Sequence, residues 1–282
     1  MSVYSEVTNN IIAELENGAA PWVKAWNGST GADCNAFTGR PYRGINRLIL
    51  AMKGVQFNSN RWATFKQWSD AGGSIKKGSK GTHITFFKPV EREIVNNNGD
   101  KELSKSAILR TFVIFNADQV EGVSFDAPVV QSEPERMADC EASIAATGAT
   151  IRHGGDVACY VPSADIIRLP NVGDFDSQAH YYATAFHELT HWTGAKHRLN
   201  RDLSGKFGNP DYAFEELVAE LGAAFMCADH QIDGDLRHAG YIQSWLKCLR
   251  ENETAIFRAA ALAEKAVGFL QASESVEEQA AA

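Results

Sequence analysis

The sequence predicts an α+β protein in two domains, a small α+β domain followed by a mainly helical domain with a small sheet. Three observations carry this. Charge divides the chain, because residues 1–125 hold 15 Lys and Arg against 11 Asp and Glu, whereas residues 126–282 hold 12 against 24, so the net changes from +4 to −12. Pattern divides it in the same place: runs of alternating β-branched and aromatic residues belong to the first part, and apolar residues at helical spacing dominate the second. Between them SFDAPVVQSEPER is polar, carries two prolines and has no period, which predicts a linker over 126–136. The domains are then 1–125 and 137–272, and SESVEEQAAA at 273–282 reads as a disordered tail.

Taken in order, MSVYSEVTNNIIAELENG reads as an amphipathic helix, and Gly44–Lys53 and Thr64–Ala71 as two more, the last ending before Gly72 and Gly73. HITFFKPV, EREIV and ILRTFVIF read as strands of an antiparallel sheet, with a turn at Asn96–Asp100. SIKKGSKG before the first of them is Gly-rich and basic but lacks the order of a nucleotide-binding loop. In the second domain a helix is predicted from about Glu135 to Thr147. Two or three short strands follow in ATIRHGGDVACYVPSADIIRLP, turning at His153–Asp156. Two helices rich in Ala and Leu fill Asp235–Leu270.

The chemistry concentrates in His187-Glu188-Leu189-Thr190-His191. Two histidines four apart on a helix stand one turn above each other, so both imidazoles can face one ion, with the glutamate beside it. The helix has local support: Asp176 or Ser177 as N-cap, no Pro or Gly from Gln178 to Trp192, and Gly194 as a stop. A hydrolytic zinc site needs a third protein ligand and an open position for water. Downstream, Asn209-Pro210 opens a helix on which Phe214, Leu217, Val218, Leu221 and Phe225 form one apolar face. Its opposite face carries Glu216, Ala219, Glu220, Ala223 and Cys227, two carboxylates among side chains small enough for a second helix to come close. That face is assigned to the motif helix, with Glu216 as third ligand and Glu220 accepting the other N–H of a ligating histidine. Glu215, about 100° round the helix, is the weaker ligand candidate. Glu188 would be the general base. Tyr182, Tyr212 and His197 are candidates for oxyanion stabilisation. DIIRLP is the candidate edge strand for an extended peptide.

TAFHELTHWTG, RLNRD and YAFEELVAELGAAF together resemble the zincin-type metallopeptidase domain of ArdC-like antirestriction proteins. The Glu216–Glu220 spacing is also similar to the third-ligand helix of gluzincins. Residues 22–88 hold 11 basic and 2 acidic side chains interleaved with aromatics, a composition suited to single-stranded nucleic acid. About half of those rings are expected in the core, Phe65, Phe86 and Phe87 first among them. PWVKAWNG, NAFTGRPYRGINRLIL, RWATFKQW, IKKGSKGTHITFFKP and VIFNADQVEG resemble the N-terminal single-stranded-DNA-binding domain of the same family and of conjugative primases. By motif position the resemblance implies contacts from Arg43, Asn46, Trp62, Gln67, Trp68, Lys76, Lys77 and Lys80.

The resemblance implies an antirestriction protein of a mobile element, with Zn2+ or another divalent metal, single-stranded DNA as partner and, where the site is hydrolytic, a protein substrate of unknown identity. Two other classes stay open: a DNA-coating protein with a structural metal, and a peptidase that cleaves a regulatory protein. No apolar run approaches the ~20 residues a membrane span needs. The N-terminus has no secretory pattern, and the five cysteines form an odd set without CxxC. A reducing, cytoplasmic location is expected.

Overall fold

A computed structural model of the chain describes residues 2–17, 20–24, 31–95, 101–126, 131–205, 209–233 and 241–280. The turn expected at Asn96–Asp100, Trp26, and residues 127–130 of the expected linker lie outside these. The chain forms two compact units. A helical unit comprises Met1–Asp33, Pro41–Asn60 and Ala127–Ala282, and a sheet unit comprises Cys34–Arg40 and Arg61–Asp126.

The partition therefore differs from the boundary expected near residue 125. α1 (Val3–Glu16) and α3 (Ile45–Gly54) present Ile11, Leu15, Ile45, Leu48 and Ile49 to the same apolar core as the second half of the chain. Trp22 of α2 (Pro21–Lys24) joins them, edge-on to Trp245 at 5.4 Å between ring centroids. Periodicity shows which face of a helix is buried but not what buries it, so nearness in sequence misassigned these helices. Arg47, one of the basic residues of the 22–88 stretch, is also part of this unit. Its guanidinium is buried, bonded to Asp229 at 2.6 and 3.2 Å and to the Phe225 carbonyl at 2.8 Å.

Two further boundaries move. α5 (Glu133–Ala146) starts inside the expected linker, because Ser132 and Glu135 form a capping box and Pro134 suits a first turn. α9 (Ala255–Ala280) runs through most of the expected disordered tail. Beyond Gly268 it meets no Pro or Gly, only Ala, Glu, Gln, Ser and other residues a helix accepts.

At the centre of the helical unit, α6 (Gln178–Thr193) packs on α7 (Pro210–Asp229). α7 is buried on all sides from Glu215 to Ala228, as a helix inside a core must be. The two helices approach closely at Gly222, where a Cβ would stand 2.5 Å from Thr190 Oγ1. α8 (Ile242–Glu251) and α9 close around them. A three-stranded sheet lies beside α6, made by β7 (Thr150–His153), β8 (Cys159–Val161) and β9 (Ile166–Leu169) in the order β7-β9-β8. The strand expected at the edge, DIIRLP, is thus the central one, parallel to β7 and antiparallel to β8. Ile166, Ile167 and Leu169 are buried, which fits a nearly continuous apolar run better than an edge.

In the sheet unit, β1 (Cys34–Asn35), β2 (Arg61–Thr64), β4 (Thr82–Val95) and β5 (Lys101–Asn116) form a sheet in the order β1-β2-β5-β4. β3 (Ser74–Ile75) and β6 (Val120–Glu121) pair separately. β4 is one strand where two were expected, and it carries Pro89 because it is an edge. Among the described residues β2 pairs with β5 at Ile114–Asn116, and over residues 101–113 β5 is paired with β4 alone, so the two form a ribbon. α4 (Phe65–Asp70) is capped by Thr64 and Gln67 in a capping box and packs Trp68 against Ala36, Ala63 and Val120.

Candidate metal centre

Ser177 caps α6 by accepting from the His180 amide, and Gly194 ends it. His187 and His191 therefore stand one turn apart, their Nε2 atoms 3.2 Å from each other. Asn209 caps α7 through the Asp211 amide, with Pro210 in its first turn. This register brings Glu216 to both histidines: Oε2 is 3.6 Å from His187 Nε2 and Oε1 is 3.5 Å from His191 Nε2. A tetrahedral ion with bonds of ~2.0–2.1 Å requires donor atoms about 3.3–3.4 Å apart. The three donors fit that requirement, and among the described residues His187, His191 and Glu216 are the set whose ligand atoms converge in this way.

Each histidine has a carboxylate behind it. His191 Nδ1 is 3.1 Å from Glu215 Oε1, and His187 Nδ1 is 3.6 Å from Glu220 Oε1. Glu220 lies on the His187 side, at a distance longer than a hydrogen bond. Glu215, weighed only as a weaker ligand, has a different place. Arg201 holds it with Nε at 3.1 Å and Nη2 at 2.9 Å, while donating also to the Thr190 carbonyl at 2.6 Å and Thr193 Oγ1 at 2.8 Å. Arg201 thus ties the C-terminal end of α6 to α7. The sequence signal for this pair was the arginine in RLNRD and a second glutamate a third of a turn from Glu216, which points past the ion to the flank of His191.

Four buried carboxylates, Glu188, Glu215, Glu216 and Glu220, surround two imidazoles, a donor set whose negative charge suits a cation. Burial disfavours a charged His191, yet bonds to Glu215 and Glu216 and the nearby Glu188 charge outweigh it and push the imidazole up to about 10. Burial likewise opposes ionisation of Glu216, and the two histidines overcome it, holding the carboxyl below its usual range.

These groups open onto a cleft of roughly 340 Å3 lined by residues that include Ala158, Cys159, Tyr160, Glu188, Tyr212 and Tyr241. Its wall is β8, one of the two edge strands of the three-stranded sheet, whose Tyr160 amide donates to Glu188 Oε2 at 2.6 Å. Tyr212 and Tyr241 meet hydroxyl to hydroxyl at 3.1 Å at the cleft. Tyr241 was not anticipated, because the Asp235–Leu270 stretch was read for its helices and not for side chains at the site. Tyr182 is buried and bonds Glu141 at 3.2 Å, and the exposed His197 pairs with Asp165 at 3.3 Å, so neither lines the cleft.

The nucleic-acid residues implied by the family resemblance separate into two groups. Arg43 and Asn46 belong to the helical unit, and Trp62, Gln67, Trp68, Lys76, Lys77 and Lys80 to the sheet unit. Lys76, Lys77 and Lys80 are exposed. Trp62 and Trp68 are fully buried, and Trp68 donates its indole N–H to the Phe115 carbonyl at 3.1 Å, so neither offers a face to a base. Gln67 accepts from the Thr64 amide at 3.0 Å in the capping box. The three rings foremost among those expected in the core lie outside it: Phe65 is 61%, Phe86 56% and Phe87 42% exposed.

Residues 138–262 match a family described as zincin-like metallopeptidase, and residues 1–115 match the N-terminal domain of the anti-restriction factor ArdC. An uncharacterized protein of Sinorhizobium fredii is 37% identical over 97% of this chain and 92% of its own length. A DNA primase TraC of Escherichia coli is 39% identical over 96% of this chain, which spans 27% of that primase. The metal-free crystal structure of the antirestriction protein ArdC from plasmid R388 superposes with a TM-score of 0.81 at 36% identity, covering 98% of both chains. The Mn(II)-bound structure of the same protein superposes with a TM-score of 0.79 at 36% identity, covering 97% of this chain and 98% of that one. No helix among the described residues is long and apolar enough to cross a membrane.

Proposed function

The chain belongs to the ArdC family of antirestriction proteins, and from that premise we propose that it protects the DNA of a mobile element in the cytoplasm of a recipient cell, binding single-stranded DNA and hydrolysing peptide bonds at a zinc site. The observation that carries the hydrolytic part is the position of Glu188: buried beside three convergent donors, in a cleft walled by an edge strand.

His187, His191 and Glu216 would hold the ion, and Glu215 and Glu220 would fix the direction of the two rings. The ion, when bound, supplies Lewis-acid polarisation of a carbonyl and a water of lowered pKa. Glu188 would take up a proton on a carboxylate oxygen from an attacking water and return it to the nitrogen that leaves. The cleft side of β8 offers backbone groups to an extended peptide, with Tyr160 marking the point nearest the base. Burial pushes the hydroxyls of Tyr212 and Tyr241 up, so both stay protonated and able to donate to an oxyanion.

The large apolar core around α7, where Leu217, Val218, Leu221 and Phe225 are fully buried, gives the unit a packing basis of its own and favours a metal with a role beyond holding the fold. Glu188→Gln tests the reading. The variant should retain metal and single-strand binding yet lose protection of conjugally transferred DNA in a restricting recipient, with transfer to a non-restricting recipient as control. Full protection by the variant would reduce the protein to a DNA-coating role.

A further inference from the structure

Among the described residues, five large apolar side chains stand exposed on β4 and β5: Phe86, Phe87, Ile108, Phe112 and Val113. Register distributes them. Ile84 faces Phe112 and Phe86 faces Arg110 across the ladder, so Phe86, Arg110 and Phe112 share one face, and Phe87, opposite Leu109, lies on the other. The rings of Phe86 and Phe112 are diagonal neighbours, 6.4 Å apart and edge to face. They are 56% and 44% exposed, and the Arg110 side chain beside them is exposed as well.

An unpaired ribbon with bare aromatic rings is costly in water, and sheets usually hide or charge such surfaces. Here the rings alternate with a guanidinium. The ribbon also grows out of a cationic loop, because exposed Lys76, Lys77 and Lys80 precede Thr82, the first residue of β4. A groove for an apolar protein segment would carry no such alternation. Rings that offer free faces beside cations suit bases that offer free faces beside phosphates, a condition that unpaired strands meet and duplexes do not.

We propose that the ribbon face bearing Phe86, Arg110 and Phe112 is the single-strand binding surface, the two rings stacking on bases and Arg110 meeting the phosphate backbone. This rests on the DNA-binding part of the function proposed above and moves the stacking role away from the buried Trp62 and Trp68.

The experiment is fluorescence anisotropy of a labelled oligothymidylate with the whole chain across a salt series. Phe86→Ala/Phe112→Ala should weaken binding about 30-fold or more, the equivalent of two stacked bases at the lower end of their usual worth. Arg110→Ala should flatten the salt slope by about 0.7, the value for one phosphate contact on a single strand. Phe86→Trp/Phe112→Trp should keep or tighten binding. Phe65→Ala, an exposed ring off the ribbon, should stay within about twofold of the parent, and thermal melting shows whether each variant is folded. If the parent binds and the folded double alanine variant binds equally well, the ribbon is not the site, a protein occupant becomes the better account, and the DNA-binding reading survives. If the parent itself does not bind the oligomer at any salt, both fall.

Discussion

Replacing Glu215 with Gln tests the metal centre at a residue that touches no ion. The side chain keeps its shape and loses one charge. In the parent, Glu215 Oε1 stands 3.1 Å from His191 Nδ1, and Arg201 grips the same carboxylate with two nitrogens at 2.9 and 3.1 Å. His191 then donates to a neutral amide oxygen at best, which lowers its basicity and frees the ring to turn. Loss of a partner of this kind typically weakens metal binding about 10- to 100-fold, or roughly 1.4–2.7 kcal/mol. Arg201 retains the Thr190 carbonyl and Thr193 Oγ1, so the end of α6 should stay formed. Glu220 sits farther from its histidine, 3.6 Å from His187 Nδ1, and Glu220→Gln should cost less. Competition with a chromophoric zinc chelator measures both. An affinity for Glu215→Gln within twofold of the parent, or a larger loss for Glu220→Gln, would refute the assignment of Glu215 as the group that holds His191 in place.

Gly222→Ala should destabilise the fold by about 1–3 kcal/mol, because its methyl would meet Thr190 Oγ1 at 2.5 Å and Cγ2 at 2.6 Å where α6 and α7 come close; an unchanged melting temperature would count against that contact. Trp68→Ala should unfold or soften the sheet unit, at a cost of about 3–5 kcal/mol, and any loss of DNA binding should track the fraction unfolded rather than precede it. Asp165 is held down to about 2, chiefly by its bonds to Arg198 and against some desolvation. A carboxyl depressed in the folded state adds stability above its unfolded pKa of ~4, and that contribution disappears as pH falls through about 2. Melting curves of Asp165→Asn should therefore converge with the parent's over this window and separate above it. Partial exposure of Asp165 keeps the separation small.

The parts of the site legible in the sequence are those set by local rules. Caps at Ser177, Asn209 and Pro210 fix where α6 and α7 start, and helix geometry then fixes that His187, His191 and Glu216 can share a point. α6 packs on α7, as the small residues around Glu216 and Glu220 led one to expect, but the close contact with Thr190 is at Gly222, which is not on that face. What could not be read were facts of partnership. A two-residue period cannot say whether a strand ends in a sheet or runs on as a ribbon, so Phe86 and Phe87, apolar and alternating with their surroundings, looked like core. Trp62 and Trp68 sit among cations in sequence but inside in the fold. Strand order is equally nonlocal: nothing in CYV or DIIRLP states which of them lies at the edge.

That last point bears on how Glu188 would act as the proposed base. Because β8, unlike β9, is an edge strand, the strand that would receive a peptide is the one already bonded to Glu188 through the Tyr160 amide. The same Tyr160 donates its hydroxyl to Asp165 at 2.8 Å. Arg198 binds both Asp165 and Tyr160, donates to the Trp192 carbonyl at 2.6 Å, and lies over the Trp192 ring at 3.8 Å. Trp192 is in the last turn of the helix that carries His187, Glu188 and His191. Strand, base and ligands are thus tied at two points along α6, near its middle by Glu188 and near its end by Arg198. A peptide bound along β8 would be registered against the histidines by the helix itself, so Arg198 can govern turnover without reaching the cleft. Arg198→Lys, which keeps the charge but loses the planar fork, should lower kcat more than metal affinity; an equal loss in both would mean that the network supports only the fold.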